Sequence, residues 1–235
     1  MTLAHFLEKT SRRILNFNLD PKILKEIEVS LGLLFLAEAE EGGNVCMINS
    51  PEVRYAYKDT FTSIDLLNYI YAIQLAPWYS DKYKEFLDIN FPKVPYPTDQ
   101  NVFWQMVQLG GELRQLHWLE SPKITEYITS FPVDGNNRVE RKFTSSSPGF
   151  EPSKSLDHQH CQRGKVWINN TQYFDHVPLT AWKIYLGVHQ PAQKWLKDRS
   201  GRILDFEEIL QYHKIIVALT ETHRFMQVIN TIKID

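Results

Sequence analysis

Residues Val166-Trp-Ile-Asn-Asn-Thr-Gln-Tyr-Phe174 place two β-favouring fragments, Val166–Ile168 and Gln172–Phe174, about an Asn169-Asn170 turn. β-branched and aromatic residues suit a pleated surface, and asparagines tolerate the tight reversal between them. Working back toward the N-terminus, the stretch Ser121 to Gly164 mixes prolines, glycines, serines and β-branched residues. It predicts strands at Ile124–Phe131 and Val139–Phe143, joined through Asp134-Gly-Asn-Asn137 as a hairpin turn. Thr144 to Gly149 reads as a flexible loop by composition.

Helical periodicity brackets this β-rich stretch. Asp20-Pro21 reads as an N-cap and first helical residue, with Ile23, Leu24, Ile27 and Leu31 on one face and Gly32 as the stop. Leu33 to Ala37 fits a strand or a continuation of the helix, Glu38 to Asn44 a loop, and Val45 to Ile48 a strand. A firmer helix starts at Thr62 or Ser63 and ends before Pro77. Ser80 caps a short helix bearing Tyr83, Phe86 and Leu87, and Phe91 to Pro97 is an extended, proline-rich connector. Thr98 opens another helix, striped by Val102, Phe103, Met106, Val107, Leu113 and Leu116. Its Gly110-Gly111 pair weakens it unless a neighbour packs closely there. After Val177-Pro178 helices return, and Asp205 with Glu208 forms a capping box for the last one. The fold class is α+β, with helical blocks 1–121 and 177–235 flanking a small β-rich insert at 122–176, all within a single domain.

The bulk numbers narrow the function. The chain has 235 residues, 43% hydrophobic, 23% charged and 13% aromatic, which is ordinary globular composition apart from the aromatics. No apolar run approaches a membrane span and the first residues carry no secretory pattern. Cys46 and Cys161 are too few for a disulfide framework, so the reading is cytoplasmic and reduced. A formal net charge of −2 argues against a surface that is basic throughout, while leaving room for a local cationic face.

Several catalytic signatures are absent. There is no Asp/Asn-Pro-Pro-aromatic loop of a DNA amino-methyltransferase, no phosphate-binding glycine loop and no nucleophile elbow. His158-Gln-His-Cys161 is the one metal-like cluster, and a solvated polar loop is the preferred account of it because its spacing is not that of paired zinc ligands. His117, His213 and His223 lie on or near apolar stripes and read as hydrogen-bonded core residues. Asn169-Asn-Thr171 is a turn.

Two basic groups stand out. Lys194, Lys197, Arg199 and Arg202 surround Trp195 with Asp198 as their only acid, either as phosphate contacts or as a solvated face over a buried Trp195. Arg138, Arg141, Lys142, Arg163 and Lys165 form a looser group in the insert, near Asn136, Asn137, Gln159 and Gln162. Arg pairs with guanine, and Asn or Gln with adenine, through bidentate hydrogen bonds in the major groove.

A set of segments in order gives these groups a context. They are Asp65-Leu-Leu-Asn-Tyr-Ile-Tyr-Ala-Ile73, Ala76-Pro-Trp-Tyr79, Tyr83-Lys-Glu-Phe-Leu87 and Ile89-Asn-Phe-Pro-Lys-Val-Pro-Tyr-Pro97. Further on come Leu109-Gly-Gly-Glu-Leu-Arg-Gln-Leu-His117, Val166-Trp-Ile-Asn169, Gln172-Tyr-Phe174, Gln193-Lys-Trp-Leu-Lys-Asp-Arg199 with Gly201-Arg202, and Tyr212-His-Lys-Ile-Ile-Val-Ala-Leu219. Together they resemble the C-terminal specificity region of type ISP restriction-modification enzymes and related adenine-specific DNA methyltransferases. The resemblance implies a non-catalytic target-recognition module for double-stranded DNA. It also implies that nuclease-helicase and methyltransferase portions using S-adenosylmethionine lie elsewhere in the parent polypeptide or on separate chains. No cofactor or metal is then expected in this chain.

The resemblance also divides the labour among the cations. Base readout falls in the unmatched stretch, to Asn136, Asn137, Arg138, Arg141, Lys142 and Arg163. Phosphate contact falls to Lys165, Lys194, Lys197, Arg199 and Arg202. The alternative is a scaffold that docks on a methyltransferase core with little DNA contact. A third reading, a small metalloenzyme built on His158, His160 and Cys161, is the weakest.

Overall fold

A computed structural model describes residues 21–36, 59–79, 94–141, 149–156, 162–187 and 189–234. The chain divides into two compact units, one built around Arg114–Met226 and the other around residues up to Leu113 together with those from Gln227. The change of unit falls at 113/114, inside a helix, whereas the change in composition falls at 121/122.

In the first unit along the chain, α1 spans Pro21–Leu31 and buries Ile27 and Leu31. Gly32, at φ +64°, terminates it, a conformation that costs glycine nothing. Strand β1 (Leu34–Leu36) follows, and pairs in parallel with β2 (Thr60–Thr62), Phe35 opposite Phe61. Helix α2 (Ser63–Leu75) starts at a capping box. Thr62 Oγ1 accepts from the Asp65 amide, and the Thr62 amide donates to Asp65 Oδ2 at 3.0 Å. Every residue from Leu66 to Ile73 is buried, so α2 is the centre of its unit rather than an amphipathic surface helix. Helix α3 (Gln100–His117) is capped by Asp99, whose Oδ1 accepts from the amides of Asn101 and Val102. Phe103 of α3 meets Phe61 and Tyr69 with ring centroids 5.8 and 5.4 Å apart. The connector before α3 is fixed by Tyr69 Oη donating to the Pro95 carbonyl and Ser30 Oγ to that of Pro97.

The Gly110-Gly111 pair has the close neighbour its sequence requires. A Cβ on Gly110 would lie 1.9 Å from the Asn68 carbonyl oxygen, so α2 and α3 cross backbone to backbone. At Gly111 the nearest atom would be Asn68 Nδ2 at 3.4 Å, an ordinary contact.

The second unit begins in the last turn of α3. A 3₁₀ turn at Pro122–Thr125, capped by Ser121, leads into irregular chain. Strands β3 (Phe150–Leu156), β4 (Gln162–Trp167) and β5 (Tyr173–Pro178) then form an antiparallel sheet in that order. Short helices α4 (Leu179–Lys183) and α5 (Pro191–Lys197) precede the long α6 (Phe206–Thr231). The inner sheet face, Gly164, Val166, Phe174 and Val177, is buried. Phe174 packs on Tyr212 at 4.4 Å between centroids, and Tyr212 on Trp195 at 5.1 Å. The α6 capping box forms as its sequence predicts, with the Glu208 amide donating to Asp205 Oδ1 at 2.8 Å.

The β-rich insert differs from its sequence reading in three ways. Ile124–Phe131 is not a strand: Pro122 starts a 3₁₀ turn, and the backbone then pairs with β5 through a single bridge, Ser130 with Asp175, beside which Phe131 packs on Phe174 at 4.8 Å between centroids. His176, at φ +60°, turns β5 aside just beyond that bridge. Residues 139–141 are not extended into a ladder either. The Glu140 and Arg141 amides both donate to the one carbonyl of Ile168, and Asn137, at φ +54°, breaks the run before them. Asp134–Asn137 is therefore a loop laid over other chain rather than a hairpin turn. Strand β3, in contrast, was not legible, because Pro152 and two serines mask its pattern; it forms one edge of the sheet, where proline is tolerated. The readings at 37–48, 80–93 and 144–148, with His158, His160 and Cys161, lie outside the described residues. Among the described residues no helix is long and apolar enough to cross a membrane.

His117 and His213 behave as core groups, whereas His223 is half-buried. His117 is fully buried, with Nε2 2.7 Å from Thr222 Oγ1. The Thr222 hydroxyl donates to the Ala218 carbonyl, so the His117 ring must be the donor to it. Burial pushes the His117 pKa down to about 3. His213 is shifted in the same direction for the same reason, and its Nδ1 lies 2.6 Å from Thr129 Oγ1.

Two predictions follow from this packing. Gly110→Ala will lower unfolding free energy in urea by roughly 2 kcal/mol or more through overpacking, whereas Gly111→Ala will be neutral or stabilising by up to about 1 kcal/mol. Equal effects at the two positions would contradict the close crossing. For His117, the unfolded ring takes up a proton below about pH 6.5 and the folded ring does not until about 3. Stability is therefore intact above pH 6.5 and falls on acidification, by up to roughly 1.4 kcal/mol per pH unit. Unfolding curves between pH 7 and 4 will show that slope, and His117→Gln, which cannot titrate, will flatten it.

Candidate nucleic-acid interface

The loop Val133–Arg141 is held from two sides. On one side, the buried Gln172 side chain accepts from the Asn137 amide at 2.8 Å, and its Nε2 donates to Asn137 Oδ1 at 2.7 Å and the Val133 carbonyl at 3.0 Å. Asn169 Nδ2 donates to Gln172 Oε1 at 3.0 Å and to the Arg138 carbonyl at 3.1 Å. On the other side, the turn before α6 pairs with the loop backbone. The Val139 amide donates to the Arg202 carbonyl, the Gly201 amide to Val139 and the Leu204 amide to Asn137.

That second turn is itself pinned by one carboxylate. Glu208 Oε1 accepts from Arg199 Nε at 3.0 Å and Arg202 Nη2 at 2.9 Å, while Oε2 reaches the Asp205 amide. The Arg199 guanidinium lies 3.6 Å over the Trp195 ring, which is 2% exposed. Half-buried, ion-paired and stacked, Arg199 serves the scaffold, since losing the partner of a buried pair is costly.

The cations and amides singled out by sequence thus fall into different settings. In the loop, Asn136 is exposed and its Oδ1 accepts from the Arg138 amide at 3.0 Å. Asn137 points inward to Gln172. Arg138 is exposed, with Nη1 donating to the Gly201 carbonyl at 2.7 Å. Arg141 is half-buried, its guanidinium without an ion pair or hydrogen bond among the described residues. Lys142 lies outside the described residues. On β4, Arg163 Nη1 donates to the His176 carbonyl at 3.2 Å. Lys165 Nζ sits 4.3 Å from the centroid of Tyr173, and Trp167 Nε1 donates to Glu151 on β3. Arg163, Lys165, Trp167, Tyr173 and Glu151 occupy the sheet positions that alternate with the buried ones, so they form its outer face. On α5, Lys194 pairs with Asp198 at 2.8 Å and Lys197 is exposed. Among the described residues no cluster of His, Cys, Asp and Glu could hold a metal ion.

Charge is partitioned along the chain. Residues 114–226 carry 15 Lys and Arg against 12 Asp and Glu, whereas the remainder carries 11 against 16. A net charge near zero therefore averages a cationic half with an acidic one, and the cationic half contains the pinned loop.

Asn169, Gln172 and Glu208 organise this region, yet none was singled out by charge or groove chemistry. The signal available for them was positional. Asn169 and Gln172 sit inside the ordered family-like segments, and Glu208 closes the capping box three residues after Asp205.

Comparison with known proteins identifies the type of chain. The sequence profile of the Type ISP C-terminal specificity domain matches residues 5–228. No curated protein matches the chain. Among solved structures, the fold is shared with the "ATP-dependent Type ISP restriction-modification enzyme LlaBIII bound to DNA" at TM-score 0.50 and 16% identity, covering 84% of this chain and 13% of that one. It is shared also with the chain of a "DrdV-DNA complex" determined by cryoEM, at TM-score 0.51 and 17% identity, covering 78% of this chain and 19% of that one. This chain thus spans a small part of the length of either. With the family match running across nearly all of it, the chain belongs to the Type ISP C-terminal specificity domains, the target-recognition portion of restriction-modification enzymes.

Proposed function

We propose that this chain reads double-stranded DNA through the loop 134–141, with the outer face of the sheet and α5 contacting the phosphate backbone. The observation that carries the proposal is the pinning of that loop, from both sides, within the cationic part of the chain. A rigid loop loses little conformational entropy on binding and holds its donors in one register, which base discrimination needs. The solved relatives are described as bound to DNA, which accords with this reading.

Within it, Asn136, Arg138 and Arg141 face base edges. Asn137 contributes through loop shape, because its amide oxygen is taken by Gln172. Arg163 braces the sheet edge through His176. Lys165, Lys194, Lys197 and Arg202 contact phosphates, and Arg199 stabilises the turn that carries Arg202. The chain performs no reaction alone. Adenine methylation with S-adenosylmethionine, DNA translocation and cleavage belong to other portions of the parent enzyme, and the setting is the cytoplasm.

Binding of a duplex selected by the protein from a randomised pool, compared with a scrambled duplex, tests the assignment. Arg138→Ala and Arg141→Ala will each weaken the selected duplex by about 1–3 kcal/mol more than the scrambled one. Lys197→Ala will weaken both alike and reduce the slope of log affinity against log salt by about 0.9. Equal losses on both duplexes for the two arginines would overturn base readout, and affinity independent of salt would favour a docking role.

A further inference from the structure

Gln172 is an uncharged side chain buried to 0% exposure immediately before β5, and it touches no surface that DNA could reach. Its amide is nonetheless fully used. Oε1 accepts two hydrogen bonds, from the Asn137 amide at 2.8 Å and Asn169 Nδ2 at 3.0 Å. Nε2 donates two, to Asn137 Oδ1 at 2.7 Å and the Val133 carbonyl at 3.0 Å. A primary amide has two acceptor and two donor positions, so all four are satisfied. Three of the four lead directly into the loop 133–137.

Asn169 extends the cluster. Its Oδ1 accepts from the Thr171 and Gln172 amides at 2.9 and 2.7 Å, closing the turn that delivers Gln172. Its Nδ2 reaches the Arg138 carbonyl. From the loop side, a Cβ on Gly135 would come within 2.6–2.9 Å of the Gln172 amide, so a residue without a side chain is needed directly over it. Asn137 holds φ +54°, a region asparagine tolerates better than most residues.

We infer that Gln172, seated on Asn169, is the positioning residue for DNA sequence discrimination in this chain, setting the register in which loop 134–141 meets the bases. This rests on the DNA-reading function proposed above. The chemistry is specific to an amide. A carboxylate in its place would turn a lone-pair-bearing oxygen, where Nε2 now donates, toward the Val133 carbonyl and Asn137 Oδ1, and an apolar side chain would strand buried donors and acceptors. Phosphate contacts made by Lys194 and Lys197 stand on α5, outside this cluster, so non-specific affinity does not depend on it.

The test uses the whole chain, with the selected and scrambled duplexes as probes and amide hydrogen exchange as the structural readout. Gln172→Ala and Gln172→Glu are expected to cut the preference for the selected duplex at least tenfold. Affinity for the scrambled duplex should change less than twofold, and exchange at the Asn137 amide should accelerate. Asn137→Gly keeps the backbone conformation and removes one partner; it gives a milder loss in the same direction and serves if the Gln172 variants do not fold. Thr222→Val, which removes the His117 contact, is the control for general destabilisation and should leave the preference unchanged. The inference is overturned if preference survives within twofold while Asn137 exchanges faster, or if Thr222→Val lowers preference equally. A wild-type chain with no preference between duplexes would instead refute the DNA-reading function itself, a distinct outcome.

Discussion

A loop that must present polar side chains cannot fold by burying them, so its conformation has to be imposed by the backbone and by whatever lies beneath. In this protein the imposing contact is the buried Gln172 amide. Its four hydrogen bonds fix Val133 and Asn137, and through Asn169 also Arg138. Buried polar groups are costly when unpaired and rigid when fully paired, and Gln172 is fully paired. The remaining order of residues 114–226 is compatible with that one requirement. Gly135 leaves room, Asn137 accepts a left-handed conformation, and the Asn169 turn brings Gln172 to its place.

The same economy governs the cations. Acidic residues are placed so that some basic groups become structural and others remain exposed. Glu208 draws Arg199 into the α6 cap and steadies Arg202, whose side chain stays 59% exposed, and Asp198 holds Lys194 by a surface pair of the kind worth well under 1 kcal/mol. Arg199, stacked on Trp195, is thereby a wall of the scaffold. Lys197 and Arg138 stay exposed. A cation's part in nucleic-acid recognition therefore follows from its neighbours, and not from its type.

The helices were legible because their signals are local. The Thr62–Asp65 and Asp205–Glu208 caps, the Gly32 stop and the stripe on α3 depend on residues a few positions apart, and each occurs where the periodicity places it. Even the Gly110 crossing could be anticipated, since paired glycines in a helix need a close neighbour. The β4–β5 turn was legible for the same reason. The insert was not, because its conformation depends on long-range partners. Residues 137–139 hydrogen-bond to 201–204, and the backbone of Ile124–Phe131 pairs with β5 at a single bridge. Propensity predicts extended chain in both places and cannot supply a strand to pair with.

The candidate interface shows the same limit. Composition located the Arg- and Asn-bearing stretch, but could not distinguish Asn136, which is exposed, from Asn137, which turns inward onto Gln172. Nor could it separate Arg199 from Lys197 without Glu208 and Trp195 in view. Such distinctions arise from packing, and a residue type carries no record of them.

The most direct test of this account is photocrosslinking of the chain to a selected duplex carrying 5-iodouracil at each thymine in turn, with the attached peptides identified by mass spectrometry. Crosslinks from base positions are predicted to fall within residues 134–141. Attachment only to residues 21–113, or none to the loop at any position, would contradict it.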